Sequence, residues 1–266
     1  MSNNLPLIIG HRGASAIAPE NTMTAFRLAL AVGADGIECD VRLARDNVPV
    51  VFHDATLLRT GLREGKLSDY TSRELARMDV GSWFNLKFPK KAQNVYSRES
   101  VPTLAKLFEL MRDNEKLIYV ELKCKNENPR NLAESVAAII RKFDLQHRVI
   151  IKSFEHDAVR EIKRLLPEIR TAALFSPRPM RVLRPTHLLI KSALGLEADE
   201  LSLHYSLATE PAVRKAAASQ LKTVIWTANH SAWVKRALKL GVYGIITNNP
   251  GRLIARRKKL LAETNF

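Results

Sequence analysis

The chain has 266 residues and a mass of 29.9 kDa, and 42 Lys and Arg residues outnumber 27 Asp and Glu residues to give a formal net charge of +15. A hydrophobic fraction of 46% and a charged fraction of 26% are ordinary for a globular protein and exclude a disordered, collagen-like or disulfide-scaffold chain. No apolar run reaches the roughly 18 residues of a transmembrane helix, and the amino terminus lacks a signal-peptide pattern, so we expect a cytoplasmic protein.

Short runs of branched apolar residues alternate with longer segments of helical periodicity. The strands that this pattern predicts are 7–10, 36–42, 49–53, 117–123, 149–153, 171–175, 200–204, 223–227 and 244–247. The predicted helices are 21–32, 102–113, 131–143, 155–166, 179–194, 209–219, 231–240 and 251–262. Asn21 is the predicted N-cap of the first helix. The alternation is typical of a parallel sheet with helices on its outside, and we expect one domain over 1–266.

One pair of strands departs from the alternation. Only residues 45–47 separate GIECDVRLA from PVVFHD, which is too short for a crossover helix and predicts an antiparallel hairpin. A two-residue turn would place Asp40 opposite His53, whereas a three-residue turn would shift the register by one. Counting the hairpin as one barrel strand leaves eight strands. The sequence therefore predicts an α/β fold, a single (β/α)8 TIM-type barrel with an insertion after the hairpin at about 54–101.

Acidic side chains lie inside two predicted strands. Glu38 and Asp40 are two residues apart and point to one face, with Cys39 on the other, and Glu121 and Lys123 repeat this spacing. Three converging carboxylates form a hard oxygen site suited to Mg²⁺ or Ca²⁺. A buried Glu–Lys ion pair is the alternative for either strand alone. The two cysteines of the chain form no CxxC pair, which excludes a zinc or redox motif of that kind.

Two histidines accompany these carboxylates. His11 ends the first strand in IIGHRG, at the carboxyl end where barrels of this kind have their active face. His53 lies beside the carboxylate pair in either hairpin register. One histidine at such a place is more often structural, but two beside a carboxylate pair favour proton transfer. Arg12 offers a planar fork of donors for a phosphate group.

These residues lie in motifs that resemble the glycerophosphodiester phosphodiesterase family. The stretch from IIGHRG to HDATLLRTG contains the family's HRG, PENT, IExDV and VVxHD patterns in order. Further matches are LSDYTSRELARMDVGSWF, VPTL, VELK, VIWTAN and GIITNNP, so the resemblance extends from residue 8 to residue 250. Several independent motifs in the right order make the resemblance specific.

The resemblance implies a metal-dependent phosphodiesterase that hydrolyses glycerophosphodiesters to glycerol 3-phosphate and an alcohol, with one divalent cation, Mg²⁺ or Ca²⁺. The site residues that it implies are the metal ligands Glu38, Asp40 and Glu121, the acid–base pair His11 and His53, the phosphate contacts Arg12 and Lys123, and the pocket wall Trp226. An ordinary core tryptophan is the alternative for Trp226, and which histidine is the base stays open.

Some residues depart from the family pattern or match it weakly. The closing motif GVDGIITDxP of the family has Tyr243 and Asn248 here in place of its acidic residues. We expect little effect of these changes on the metal and some effect on the pocket wall. Glu20 and Asn229 are weaker candidates for the site.

The positive charge is concentrated near the carboxyl terminus, where residues 201–266 contain 11 basic and 2 acidic side chains. It indicates an anionic partner: a phosphodiester substrate or an anionic membrane surface, or else simply a solvated surface. The segment 178–196 is both basic and apolar and could touch a membrane, although a barrel helix with a basic outer face is favoured. We expect no nucleic-acid partner, since no such motif occurs and only 6% of residues are aromatic.

Two other functions stay open. A lysophospholipase D-like enzyme of the same family would take acylated glycerophosphodiesters at a membrane surface. A non-catalytic barrel that binds anionic lipid or nucleic acid is disfavoured, because all the implied site residues are present. The oligomeric state and the preferred alcohol are not determined by the sequence.

Overall fold

A computed structural model gives the fold and describes residues 5–125, 128–177 and 185–264. Over those ranges the strands are β1 (Leu7–His11), β2 (Gly36–Leu43), β3 (Pro49–Val51), β4 (Leu117–Leu122), β5 (Val149–Ser153), β6 (Arg170–Phe175), β7 (Glu200–His204), β8 (Lys222–Trp226) and β9 (Gly244–Thr247). Eight of them run parallel and close into a barrel, because β1 pairs with both β2 and β9, while β3 pairs antiparallel with β2. The predicted TIM-type barrel is confirmed.

Helices cover the outside of the barrel and build the insertion. They are α1 (Met23–Ala31), α2 (Leu58–Gly61), α3 (Ser72–Leu75), α4 (Ser82–Lys87), α5 (Leu104–Met111), α6 (Pro129–Phe143), α7 (His156–Leu165), α8 (Thr186–Leu194), α9 (Glu210–Ala218), α10 (Ala232–Leu240) and α11 (Pro250–Thr264). Short 3₁₀ turns lie at Leu67–Asp69, Pro89–Lys91, Asn94–Arg98 and Tyr205–Leu207. Residues 179–184 of the predicted helix 179–194 lie outside the described residues, and α8 covers 186–194.

Apolar faces of the helices explain their packing. In α6 the buried side chains recur every three or four residues from Leu132 to Ile140, so that one stripe of the helix faces the strands. The outer faces of the strands meet these stripes in one large core and in a smaller core formed by β6, β7, α8 and α9, while Ile9, Ile150 and Ile246 belong to a separate cluster inside the barrel. Within the described ranges, no helix is both long enough and apolar enough to cross a membrane.

The N-cap predicted for α1 is wrong by one residue. Thr22, not Asn21, precedes the helix, and its hydroxyl accepts a hydrogen bond from the backbone N–H of Ala25 at 3.2 Å. Asn21 has a left-handed backbone with φ of 58° and its side chain points away from the helix. Its amide donates to Asp40 at 2.9 Å, which makes it part of the site described below.

The hairpin has the three-residue turn. Val41 pairs with Val51 and Leu43 with Pro49, and the N–H of Phe52 donates to the carbonyl of Asp40 at 2.9 Å. Asp40 is therefore opposite Phe52, and the pairing with His53 that a two-residue turn would give does not occur. An asparagine in the left-handed conformation, Asn47 at φ 59°, ends this turn as in many three-residue hairpins.

A buried acid–phenol pair lies inside the barrel at the amino-terminal ends of the strands. Glu200, the first residue of β7, accepts hydrogen bonds from the hydroxyl of Tyr119 at 3.0 and 3.2 Å, and neither side chain is exposed. Burial raises the pKa of Glu200 to about 7, because the ionised carboxylate loses its hydration, although the hydrogen bond from Tyr119 opposes the shift. Glu200 therefore binds a proton more tightly in the folded chain than in the unfolded chain.

The contribution of this pair to the free energy of unfolding falls as the pH rises from about 4.5 to 7. Stabilisation by the protonated carboxyl is fully present below the unfolded pKa and is lost as the pH rises through the folded pKa. Glu200→Gln does not titrate and keeps an acceptor for Tyr119. We expect its free energy of unfolding to exceed that of the wild type by up to about 3 kcal/mol at pH 8, with little gain at pH 5. Urea titrations at both pH values measure this, and an equal gain at both contradicts the assignment.

Candidate active site

Parallel strand register assembles one site at the carboxyl ends of β1, β2 and β4. His11 pairs with Glu38 across β1 and β2, and Asp40 pairs with Glu121 across β2 and β4. Paired residues on adjacent parallel strands lie side by side and point to the same face of the sheet. The side chains of both pairs therefore point into the mouth of the barrel. Lys123 follows β4 directly, with its N–H donating to the carbonyl of Val41 at 3.0 Å.

The turn after β1 explains the HRG motif. Arg12 and Gly13 both have a left-handed backbone, with φ of 54° and 81°. A Cβ on Gly13 would lie 2.5 Å from the carbonyl carbon of Ala25, so only glycine fits between this turn and α1. The tight turn directs the backbone N–H of Arg12 at the carboxylate of Glu38, where it donates at 3.0 Å.

The carboxylates of Glu38, Asp40 and Glu121 form one buried cluster. One oxygen of each lies within 4.8 Å of the others, and the side chains are 0%, 0% and 5% exposed. Within the described residues, one buried oxygen of each carboxylate lies against a lysine ammonium, that of Lys152 for Glu38 and that of Lys123 for Asp40 and Glu121. Three hard oxygen donors of this kind fit a divalent cation of the Mg²⁺ or Ca²⁺ class, and the cluster can hold one.

Cationic side chains balance this negative charge. The ammonium of Lys152 lies 2.8 Å from Glu38 and 3.6 Å from Glu121, and it is 2% exposed. Lys123 lies 3.2 Å from Asp40 and also contacts Glu121. Arg12 Nε lies 2.9 Å from the second oxygen of Asp40. The Glu–Lys pair that the sequence left as an alternative is therefore present, and it coexists with the carboxylate cluster.

These contacts fix the charge states of the cluster. Burial by itself would raise the pKa of Asp40, but Arg12 and Lys123 outweigh it and hold that pKa well below its ordinary value. Burial likewise opposes ionisation of Glu38, whose pKa is nevertheless lowered, chiefly by Lys152. The pKa of Lys152 is raised despite its burial, because Glu38 and Glu121 face it. Both carboxylates are ionised at neutral pH.

His11 is oriented by a residue near the far end of the chain. Its Nδ1 lies 2.6 Å from the side-chain oxygen of Asn248, and its Nε2 lies 3.9 Å from Glu38. Asn229 in turn accepts the backbone N–H of Asn248 at 2.8 Å. With the proton on Nδ1, the Nε2 lone pair points toward the carboxylate cluster. Burial lowers the pKa of His11, with Glu38 opposing, so the ring is neutral at pH 7.

The Nδ1 atom of His53 has a carboxylate as its partner, where that of His11 has an amide oxygen. His53 Nδ1 lies 2.5 Å from Asp54, which Arg59 contacts at 2.6 Å from the other side. Arg59 also donates to Glu20 at 2.7 and 2.9 Å, and Glu20 accepts from Arg12 at 2.6 Å. Glu20, a weak candidate from the sequence, thus joins the insertion to the phosphate-binding candidate Arg12.

Aromatic rings form a further part of the mouth. Trp226, at the end of β8, is half-buried, and its ring meets the edges of Phe154 at 5.5 Å and of His204 at 5.4 Å between centroids. His53, Lys123 and Phe154 line a cavity of about 410 Å³. A larger cavity of about 650 Å³ lies around Leu7, Lys222 and Tyr243 at the other end of the barrel, away from these titratable groups.

Sequence reasoning missed three residues that contact the predicted site. Lys152 interrupts the apolar strand VIIKS, and a lysine inside such a strand is itself a signal of a buried anionic partner. Asp54 directly follows His53 and could have been assigned as its partner from adjacency. The sequence assigned Asn21 to helix capping. In the structure its backbone is left-handed and its side-chain amide donates to Asp40.

The sequence profile of the Glycerophosphoryl diester phosphodiesterase family matches residues 11–252. The glycerophosphodiester phosphodiesterase of Caldanaerobacter subterraneus subsp. tengcongensis is 35% identical over 248 residues, which cover 93% of this chain and 96% of that protein. The glycerophosphodiester phosphodiesterase of Bacillus subtilis strain 168 is 31% identical, over 92% of this chain and 84% of that protein. An Oleispira antarctica phosphodiesterase, solved with the product sn-glycerol-3-phosphate, has a TM-score of 0.83 at 26% identity and covers 96% of this chain and 97% of its own.

Lys152→Met tests the charge balance of the cluster. The variant leaves Glu38 buried without its nearest cation, and we expect the free energy of unfolding to fall by about 3–5 kcal/mol in the presence of a chelator. Millimolar Mg²⁺ or Ca²⁺ should restore part of the loss, because the cation replaces the missing positive charge. Urea unfolding measures both effects. Arg130→Met, which removes the exposed pair with Glu134, is the control and should change stability little.

Glu121→Gln tests the cluster as a cation site without an assay of activity. A cation at about 100 times its dissociation constant should stabilise the wild type by about 2.7 kcal/mol, seen as a rise in melting temperature that a chelator reverses. Loss of one anionic ligand should abolish most of that rise. Glu134→Gln, at an exposed position, should keep it. An equal rise in the wild type and in Glu121→Gln means that the cation binds elsewhere.

Proposed function

Because the chain belongs to the glycerophosphoryl diester phosphodiesterase family, we propose that it hydrolyses glycerophosphodiesters to glycerol 3-phosphate and an alcohol. It is a phosphoric diester hydrolase by this membership. The observation that supports a catalytic reading of its own residues is the position of two histidines at the buried carboxylate cluster: His11 faces Glu38, and His53 directly follows Phe52, whose N–H donates to the carbonyl of Asp40. The product named for the Oleispira antarctica enzyme supports the same product here.

Glu38, Asp40 and Glu121 would hold one Mg²⁺ or Ca²⁺ ion. Such an ion supplies positive charge to the phosphoryl oxygens and makes the phosphorus easier to attack. The neighbouring cations keep Glu38 and Asp40 ionised and hold all three carboxylates close together, so they need little rearrangement to act as ligands. Arrangement in advance of binding is what makes electrostatic catalysis effective.

Arg12 and Lys123 would bind the phosphodiester. The pKa of each is raised, since Asp40 faces both and outweighs the opposing effect of burial, so both carry positive charge throughout the neutral range. A phosphodiester is a monoanion whose oxygens repel a nucleophile, and cationic donors directed at those oxygens reduce that repulsion as charge develops. The planar guanidinium adds directional donors, and the ammonium adds a compact charge.

His11 and His53 would transfer the protons. In a glycerophosphodiester the 2-hydroxyl of glycerol lies next to the phosphorus. One histidine would take the proton of this hydroxyl as it attacks, and the other would protonate the leaving alcohol, each worth about 10²–10⁴-fold in rate. Water would then open the cyclic phosphate to glycerol 3-phosphate. The Nδ1 partners, Asn248 and Asp54, fix each ring so that Nε2 is the nitrogen that exchanges protons.

Trp226 would form part of the substrate wall. Its contacts with Phe154 and His204 support this role, because together the three rings offer an aromatic wall to the mouth beside the charged residues. A wall of this kind suits the non-reacting part of a substrate, which needs apolar contact rather than charge.

The direct test measures alcohol release from glycerophosphocholine with Mg²⁺, with Ca²⁺ and with a chelator. We expect metal-dependent release by the wild type, and His11→Ala and His53→Ala should lower kcat by about 10²–10⁴-fold while keeping the metal-induced thermal stabilisation. His187→Ala, an exposed position on α8, is the control. No release with either metal would reject the function. Release from lysophosphatidylcholine alone would favour the lysophospholipase D-like alternative.

A substrate analogue without the 2-hydroxyl tests the proposed route. With the internal nucleophile removed, cleavage should fall by at least the roughly 10²-fold that one proton-transfer partner contributes, even if binding persists. A competition assay against glycerophosphocholine checks that the analogue still binds. An analogue that is cleaved at an undiminished rate shows that water attacks directly.

A further inference from the structure

Exposed large apolar side chains gather at the catalytic end of the barrel. Eleven such side chains are exposed in the described part of the chain, and seven of them lie in segments that follow strand carboxyl ends. Single exposed apolar residues are normal on protein surfaces, but their concentration at one end marks a site of interaction. The two most exposed are Leu86 at 73% and Leu58 at 64%, and both belong to the insertion after the hairpin.

Leu58, Leu62 and Leu86 form what we call the insertion patch. Leu58 begins α2, Leu62 follows its last residue, and Leu86 lies in α4, and these two short helices pack against each other. The guanidinium of Arg59 lies 5.9 Å from the ring of Trp83, which joins α2 to α4. The apolar side chains of the insertion core point inward from the same helices, so the leucines of the patch are not needed for its packing.

Positive charge lies on the Leu86 side of this patch. Residues 80–98 contain four basic side chains and no acidic one. Lys87, Lys90 and Lys91 are exposed next to Leu86, and the ammonium groups of Lys87 and Lys91 lie 5.6 and 5.5 Å from the ring of Phe88. Exposed leucines interspersed with lysines are typical of segments that lie on a membrane, where the apolar groups enter the interface and the lysines meet anionic head groups.

The insertion is held close to the catalytic mouth. Lys91 donates to the carbonyl of Ala16 at 2.8 Å, and the hydroxyl of Tyr96 donates to the carbonyl of Ile17 at 2.8 Å, both in the loop after β1 that carries Arg12. Arg59 reaches the same arginine through Glu20. A surface that binds the insertion would therefore lie beside the mouth.

We propose that the insertion patch and its lysines dock this protein on an anionic phospholipid bilayer. The geometry brings the barrel mouth next to the bilayer surface, where the glycerophosphodiester head groups of phospholipids lie. The docking does not depend on the proposed hydrolase function, which concerns other residues. It also assigns the membrane contact to residues 58–91, and not to the basic helix α11 near the carboxyl terminus.

Helix α11 lacks the features of such a surface. Arg257 is paired with Asp35, and Arg256 with Glu263, so part of its charge is already neutralised. The helix packs on β1 along the side of the barrel, away from the mouth. Its exposed Lys258 and Lys259 therefore provide a matched control for the lysines of the insertion.

The experiment measures co-sedimentation of the whole chain with vesicles of phosphatidylcholine containing about a quarter phosphatidylglycerol, and with vesicles of phosphatidylcholine alone. We expect binding to the anionic vesicles that weakens with salt. Leu86→Ser and the pair Lys87→Glu with Lys90→Glu should each weaken it, the charge pair by roughly tenfold or more. Leu188→Ser on α8 and Lys258→Glu with Lys259→Glu on α11 should leave it within about twofold.

A fluorescent label distinguishes insertion from simple attraction. An environment-sensitive dye on Leu86→Cys should shift to shorter wavelength with anionic vesicles, and a dye on Leu188→Cys should not; the two native cysteines are buried. Hydrolysis of water-soluble glycerophosphocholine by the Leu86 and lysine variants should equal that of the wild type, which shows that they fold. Absence of wild-type binding to anionic vesicles overturns the proposal, as does an equal loss in the α11 control.

Discussion

Three carboxylates packed together out of contact with water repel one another, and the barrel holds them only because Lys152, Lys123 and Arg12 face them. Desolvation costs several kcal/mol for each buried ion, so none of the charges would be stable without a partner. The pKa directions show which effect dominates: burial opposes ionisation of Glu38 and Asp40, yet the cations keep both ionised. The cluster thus carries both its negative and its positive charges before any ligand binds. The carboxylates suit a divalent ion, and the cations suit an anionic substrate.

The fold creates this situation through strand register. Parallel pairing sets His11 beside Glu38 and Asp40 beside Glu121, and the alternation of side chains across a strand turns Cys39 into the outer core. Barrel closure then adds residues from distant parts of the chain. Lys152 arrives from the next strand after β4, and Asn248 reaches His11 from beyond β9. The same closure leaves the insertion after the hairpin at the rim of the mouth.

Most of the fold and the centre of the site were predictable from sequence. All nine strands in the described part of the chain were predicted to within two residues at each end, because branched apolar runs mark buried parallel strands. The carboxylates were placed on one face by their spacing alone. The hairpin register was not determined, since a two-residue and a three-residue turn fit the same letters; the structure has the longer turn, and Asp40 faces Phe52. The cap of α1 was misassigned because Asn21 and Thr22 are both good capping residues.

By itself, the sequence determined the barrel, most of the residues that carry charge into its mouth and the family to which the chain belongs, because periodicity and motif order are local properties of the chain. Only the tertiary structure decided which side chains are paired with one another. The pairing of Lys152 with Glu38, the contact of Asn248 with His11 across 237 positions, and the raised pKa of Glu200 beside Tyr119 all depend on distances between strands. Such distances set burial and Coulomb energy, and neither quantity can be obtained from the order of residues along the chain.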